Sequence, residues 1–183
     1  MKQFIKHPLF LIVFSLGIVH HTLAQNTYYP NFIGLNPSLT IEPFYERGEM
    51  DINILPIVYQ RPMTKLLDLR LTSIVNLGLR DSGNEISHFG LETALPIFFK
   101  PKEVIQESSS GFFIAPIVSL TRNRMEEHNN VGIWLEPGYN LLFENRFAMS
   151  FGLQVGATYF SFDNGQTKWG NHFGVKVIFG KWI

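Results

Sequence analysis

Residues 68–80, DLRLTSIVNLGLR, alternate between two kinds of side chain with the two-residue period of a β-strand. One parity is mostly leucine and valine, whereas the other carries Asp68, Arg70 and Arg80. This alternation predicts a long strand with one apolar face and one polar face. The fold therefore depends on which of the two faces points into the protein.

The same alternation recurs through most of the chain and predicts about eight strands. The connections between them are short, so none is long enough for a parallel crossover. An even number of antiparallel strands in up-and-down order favours a closed barrel. The predicted strands are Ser38–Glu46, Met50–Gln60, Lys65–Arg80, Glu85–Phe99, Gly111–Arg122, Asn130–Glu144, Arg146–Phe162 and Trp169–Lys181.

The composition of the two parities indicates that the apolar one faces outward. It carries almost no charge along the predicted strands, and the polar parity is rich in Gly, Ala, Ser and Thr, which suit a narrow interior. Charged residues make up 16% of the chain, below the roughly 25% of soluble domains. Aromatic residues such as Phe143, Phe147 and Trp169 gather near strand ends, as in the girdles of membrane barrels. We therefore expect Leu69 and Leu71 to face lipid.

In this pattern the chain resembles the small eight-stranded outer-membrane barrels of Gram-negative bacteria, over residues 38–183. The resemblance implies an all-β, closed up-and-down antiparallel transmembrane barrel in the cell outer membrane. It also implies a monomer that contacts outer-membrane lipid and, during biogenesis, the barrel-assembly machinery. The C-terminus departs from the family, because many members end on an aromatic residue whereas here Trp182 is followed by Ile183.

The N-terminus has the pattern of a secretory signal peptide over residues 1–24. Lys2 and Lys6 precede the apolar run PLFLIVFSLGIV, and Thr22 and Ala24 are small residues placed for cleavage before Gln25. The 12 apolar residues fall short of the roughly 20 of a spanning helix. Residues 25–37 are interpreted as a lead-in to a barrel domain of residues 38–183.

Composition excludes several classes of function. The chain has no cysteine, which removes disulfides, thiolate metal sites and a cysteine nucleophile. Its formal net charge of zero gives no support for a nucleic-acid partner. No histidine pair has the spacing of a metal site, and no glycine loop could cradle a phosphate, so we expect no metal and no cofactor.

Five prolines lie inside predicted strands, where each removes a ladder hydrogen bond. We expect bulges or bends that shape the curvature of the barrel. The alternative is a lateral opening between strands through which a lipid chain could enter, as in the outer-membrane palmitoyltransferases that this architecture resembles. The five are Pro43, Pro56, Pro96, Pro116 and Pro137.

Charged residues on the polar parity are expected to pair across strands and to fill the lumen, because an unpaired charge in a narrow interior is costly. The alternative is a polar conduit or a ligand pocket. The predicted lumen charge network comprises Glu42, Asp51, Asp68, Arg70, Arg80, Glu92, Glu136 and Lys176.

Catalytic candidates lie on the fourth predicted strand at Ser87, His88 and Glu92. Adjacent residues of a regular strand point to opposite faces, so Ser87 and His88 are not expected to form a nucleophile–base pair. Four residues of extended chain place His88 about 13 Å from Glu92. His172 is assigned to the outward, apolar parity.

The sequence therefore predicts an integral outer-membrane barrel with a structural or surface-interaction role. One alternative is an outer-membrane enzyme that modifies lipid A acyl chains. A further alternative is a soluble lipocalin-like carrier, which would need the apolar parity inside.

Overall fold

The computed structural model describes residues 31–40, 46–81, 83–105 and 108–183, and the regular elements of these residues are all β-strands. The described residues contain no helix that is long and apolar enough to cross a membrane. The predicted signal peptide and Glu42 lie outside the described residues. In chain order the strands are β1 (Phe32–Leu35), β2 (Leu39–Thr40), β3 (Met50–Asn53), β4 (Ile57–Pro62), β5 (Asp68–Arg80), β6 (Gly83–Ala94), β7 (Ile97–Phe98), β8 (Gly111–Asn123), β9 (His128–Leu142), β10 (Phe147–Phe162) and β11 (Thr167–Trp182).

These eleven segments of the described chain form a closed barrel of eight antiparallel strands. β1 and β2 are two parts of the first barrel strand, β3 and β4 of the second, and β6 and β7 of the fourth. Each barrel strand pairs with the next in the sequence, and β1 pairs with β11, so the first and last strands close the ring. The predicted fold class, an all-β closed up-and-down barrel, is confirmed.

The burial of β5 shows which parity faces the interior. Asp68, Arg70 and Arg80 are buried, whereas Leu69 and Leu71 are half-buried on the outer surface. The polar parity therefore faces the lumen and the apolar parity covers the outside. This follows from the pleat of a strand, which sends successive side chains to opposite faces.

The first barrel strand begins earlier than the predicted Ser38. Phe32–Leu35, assigned from sequence to the lead-in, is a strand that pairs with both β4 and β11. Phe32 faces the interior while Ile33 and Leu35 are exposed. The alternation of apolar and small or polar residues runs without a break from Ile33 into the predicted first strand, so the sequence pattern does extend to this segment. Its pairing with β11 is what only the structure shows.

Three of the five prolines lie where strand pairing is interrupted, but the bulge of the described barrel lies at Ser87 and not at a proline. Pro56 lies between β3 and β4, and Pro96 lies between β6 and β7. The ladder between β9 and β10 skips Glu136 and Pro137 without changing register. Pro116 lies within β8, and Pro43 is outside the described residues.

Apolar side chains fill the lumen near the chain termini, which corrects the expectation of a lumen filled by paired charges alone. Two clusters of buried residues lie at this end of the barrel. Bulky rings dominate both clusters, and Phe98 and Phe113 pack with ring centroids 5.5 Å apart. The first cluster comprises Phe32, Val58, Ala148, Ile178 and Trp182, and the second comprises Ala94, Phe98, Phe113, Ala115 and Ile117.

Candidate functional site in the barrel lumen

Two ion pairs meet at mid-height in the lumen. Arg70 Nη2 lies 2.7 Å from Glu136 Oε1, and Lys176 pairs with Glu92 while its Nζ lies 3.6 Å from Glu136 Oε2. Gln154 Nε2 donates to both carboxylates, at 3.3 Å to Glu92 and 3.1 Å to Glu136. Two cations thus face two anions. The two-residue period of each strand directs these side chains into the lumen, where residues of different strands meet.

A second charged cluster surrounds Asp68, closer to the termini. Lys102 Nζ lies 2.9 Å from one carboxylate oxygen of Asp68. The other oxygen accepts hydrogen bonds from Gln60 Nε2 at 2.7 Å and from Ser109 Oγ at 2.6 Å. Asp68 was assigned to the lumen from sequence, whereas Lys102 and Ser109 were missed because they belong to the polar connection after β7. Lys102 and Ser109 of that connection therefore reach the end of the barrel lumen.

A third cluster lies toward the opposite end, around Asp51. Its carboxylate is 3.0 Å from Arg80 Nη2 and 2.8 Å from His88 Nδ1. Arg80 Nε also lies 3.7 Å from a carboxylate oxygen of Glu49 in the preceding turn. The cluster joins β3, β5 and β6, so it ties three neighbouring barrel strands together.

Ser87 and His88 both face the lumen, so the prediction that they point to opposite faces is wrong. The register between β5 and β6 shifts between Asn76 and Leu77, which leaves Ser87 as an extra residue in a β-bulge. Both side chains are buried, and Ser87 Oγ lies 3.3 Å from His88 Nδ1. A bulge shifts the phase of the alternation by one residue, and the only signal of it in this sequence is that the outward apolar residues Ile86 and Phe89 are three positions apart.

The geometry of Ser87, His88 and Asp51 differs from that of a nucleophile–base–acid relay. A relay uses one imidazole nitrogen for the carboxylate and the other for the hydroxyl. Here Asp51 and Ser87 both approach Nδ1 of His88. Ser87 Oγ also donates to the backbone carbonyl of Asn76 at 3.3 Å. The cluster therefore holds the bulge in place, and Glu92 pairs separately with Lys176.

His172 points into the lumen, and its assignment to the outward parity is wrong. It shares a parity with Gly174 and Lys176, while Phe173 and Val175 are exposed on the outside. Its ring stacks on Trp134, with centroids 3.7 Å apart and planes 13° apart. Its Nε2 lies 3.3 Å from Gln154 Oε1. Gln154 therefore links His172 to the carboxylates of the mid-height ion pairs.

A cavity of about 240 Å³ lies between the mid-height ion pairs and the Asp51 cluster. Half of its lining residues carry amide or hydroxyl side chains, and the others include the stacked rings of Trp134 and His172. The lumen is thus neither fully packed nor an open channel. The neutral polar lining residues include Asn36, Ser38, Asn53, Thr72, Asn76 and Asn130.

Within the described residues, no three His, Asp or Glu side chains are grouped so that they could hold a metal ion. The chain was compared with protein-family models, with curated proteins and with solved structures, and no match was found.

Proposed function

We propose that this chain is an integral outer-membrane β-barrel with a structural or surface-interaction role. The observation that carries the proposal is the inverted distribution of polarity. Charged side chains such as Arg70 and Glu136 are almost fully buried, whereas Phe151, Leu153 and Val155 are 41%, 50% and 55% exposed along one strand. The same contrast is repeated on neighbouring strands.

Exposing this apolar outer surface to water would be unfavourable. Soluble monomers rarely expose contiguous apolar patches of more than a few hundred Å². A band of leucine, valine and phenylalanine around a barrel is instead the surface that a hydrocarbon environment favours. Pairing between successive barrel strands satisfies most backbone hydrogen bonds of the described strands, as a lipid-embedded segment requires.

The short connections limit the role that such a barrel could have. Opposite the termini, β5 and β6 are joined around Gly83, and β8 and β9 are joined by the four residues between Asn123 and His128. Loops of this length present little surface to a partner. They favour a structural role or recognition by a small surface.

Cell fractionation tests the proposal. We expect the mature chain in the outer-membrane fraction, extracted only by detergent, and with a gel mobility that changes on heating. Recovery in the soluble periplasmic fraction without detergent would contradict it. A soluble lipocalin-like carrier would instead be monodisperse without detergent and would bind a hydrophobic ligand.

The lipid-modifying enzyme is the alternative that Ser87 and His88 keep open, since they are buried together 3.3 Å apart. Mass spectrometry of lipid A from strains with the native chain, with Ser87→Ala and without the protein would discriminate. A lipid A species that requires both the protein and Ser87 would favour the enzyme. Identical profiles in all three strains would exclude it.

A further inference from the structure

Within the described residues, the last strand pairs with the first strand only near the chain termini. The paired residues are Phe32–Leu35 of the first barrel strand and Phe179–Trp182 of β11. Beyond Leu35 the first strand stays with the second: the amide of Asn36 donates to the carbonyl of Pro56, and β2 pairs with β3. Pro37 follows directly and has no N–H to donate.

The cavity reaches the outer surface beyond the end of this pairing. Its lining includes Asn36 and Ser38 from the first strand, and Phe173 and Val175 from the outer face of β11. Phe173 is 75% exposed and Val175 is 68% exposed, against 55% for Val155 on the fully paired neighbour β10. The polar cavity is thus continuous with an apolar exterior at mid-barrel.

Three polar atoms in the cavity wall lack hydrogen-bond partners among the described residues. They are the side-chain oxygens of Asn36, Thr72 and Asn76, and these residues are 5%, 1% and 4% exposed. Buried polar atoms of folded proteins nearly always have a partner. Amide and hydroxyl oxygens of this kind would be satisfied by a molecule that carries hydroxyl groups.

Charged side chains in the cavity wall already form ion pairs with other residues of the lumen. Glu92 and Lys176 pair with each other, and His88 contacts Asp51. A charged headgroup would have to break these pairs in a poorly hydrated interior, at a large cost. A neutral headgroup would leave them intact.

We propose that the cavity binds the headgroup of an uncharged, hydroxyl-bearing lipid that enters between the first strand and β11. Its hydroxyls bond to Asn36 and Thr72, because Asn76 lies four residues and about 13 Å farther along β5 and is beyond the reach of the same headgroup. Its hydrocarbon chain stays outside over Phe173 and Val175. A volume of 240 Å³ corresponds to about eight waters, which is ample for a glycerol headgroup. The inference rests on the proposed membrane location, which supplies the lipid.

Photo-crosslinking of the full mature chain in lipid nanodiscs tests this inference. The probe is a monoacylglycerol with a diazirine on the acyl carbon next to the headgroup. We expect mass spectrometry to find the label on the peptides that contain residues 36–38 and 171–176. Excess unlabelled monoacylglycerol should compete, whereas the anionic lipid phosphatidylglycerol should not.

Two matched pairs of variants test the site and its entrance. Thr72→Val removes one hydroxyl inside the cavity and should weaken competition by monoacylglycerol about fivefold, the effect of one net hydrogen bond. Thr93→Val, on β6 outside the cavity lining, should not. Because the chain has no cysteine, Val175→Cys can be alkylated with N-benzylmaleimide. This should abolish labelling, whereas the same treatment of Val155→Cys should leave it unchanged.

Labelling spread evenly around the barrel, equal competition by phosphatidylglycerol, or persistence after alkylation at position 175 would each overturn the inference. A heat-modifiable, vesicle-inserted barrel that gives any of these results would still support the proposed membrane location. A chain that fails to insert into vesicles would contradict both proposals.

Discussion

Arg70 Nη2 lies 2.7 Å from Glu136 Oε1 across the lumen, and both side chains are only 1% exposed. The two residues are 66 positions apart in the chain, on β5 and β9. Lys176 and Gln154 complete the surroundings of Glu136. The barrel thus carries its charges inside and its hydrocarbon side chains outside.

Arg70→Met should destabilise the barrel by about 3–5 kcal/mol, because it leaves Glu136 with a buried charge that is incompletely compensated. The double variant Arg70→Met with Glu136→Gln should recover most of the loss, since the amide can still bond to Gln154. Urea unfolding of the refolded chain in lipid vesicles measures both. Arg47→Met, at an exposed turn residue, is the control and should change stability by less than about 0.5 kcal/mol. Equal losses for the single and double variants would contradict the pairing.

Leu153→Arg places a charge on the outer surface of β10, where Leu153 is 50% exposed. In a bilayer it should cost about 2–4 kcal/mol near the midplane. In water an exposed substitution of this kind is nearly neutral. The same urea experiment in vesicles distinguishes the two environments. Asn164→Arg, in the exposed turn after β10, is the control, and a neutral Leu153→Arg would argue against a lipid-facing surface.

Deletion of Ser87 should leave a barrel that folds. Removing the extra residue of the bulge restores regular alternation, so Ile86 stays outside and His88 stays inside. Deletion of Gly90, which lies in a regular part of the same strand, shifts the register by one and sends one half of the strand to the wrong faces. Heat-modifiable gel migration after refolding reports both. A folded Gly90 deletion together with an unfolded Ser87 deletion would place the bulge elsewhere.

Trypsin should cleave slowly after Lys102 in the native chain, because Lys102 is 7% exposed and paired with Asp68. Asp68→Asn weakens this pair and should accelerate cleavage there, while cleavage after the exposed Arg124 at the opposite end stays the same. Peptide mapping over time gives both rates. On intact cells we expect cleavage at Arg124 and none at Lys102. The reverse result would mean that the end with the termini faces outward.

Arg122 makes two hydrogen bonds to Asp163, at 2.7 and 2.5 Å, near the end opposite the termini. These bonds hold the pKa of Asp163, in the connection after β10, below its ordinary value of 3.8. A carboxyl group whose pKa is depressed by folding stabilises the fold above its unfolded pKa, and this contribution is lost as the pH falls through the folded pKa. Asp163→Asn should therefore be slightly less stable than the native chain at pH 7 and equally stable well below pH 3.8. Urea unfolding at the two pH values measures this, and high salt should reduce the difference at pH 7.

Alternation was sufficient to predict much of the fold. Asp68, Arg70 and Leu69 could be assigned to faces from sequence, because the pleat has a period of two. Local exceptions were harder to place. The alternation of Phe32–Leu35 continues into the predicted first strand, so only the pairing of this segment with β11 needed the structure. The bulge at Ser87 shows in the sequence only as a one-residue change of phase between Ile86 and Phe89. His172 was misassigned within a strand that is otherwise regular.

The sequence by itself determined most strands of the barrel, the parity that carries the charged residues, and the even number of strands that a closed antiparallel barrel requires. These properties are periodic and local, so residues near each other in the chain suffice to define them. Only the tertiary structure decided the partners within the lumen. It joined Lys102 to Asp68 and stacked Trp134 on His172, and it left Asn36, Thr72 and Asn76 facing one cavity. The tilt and register of a closed barrel set these contacts, because they determine which levels of distant strands come together across the lumen.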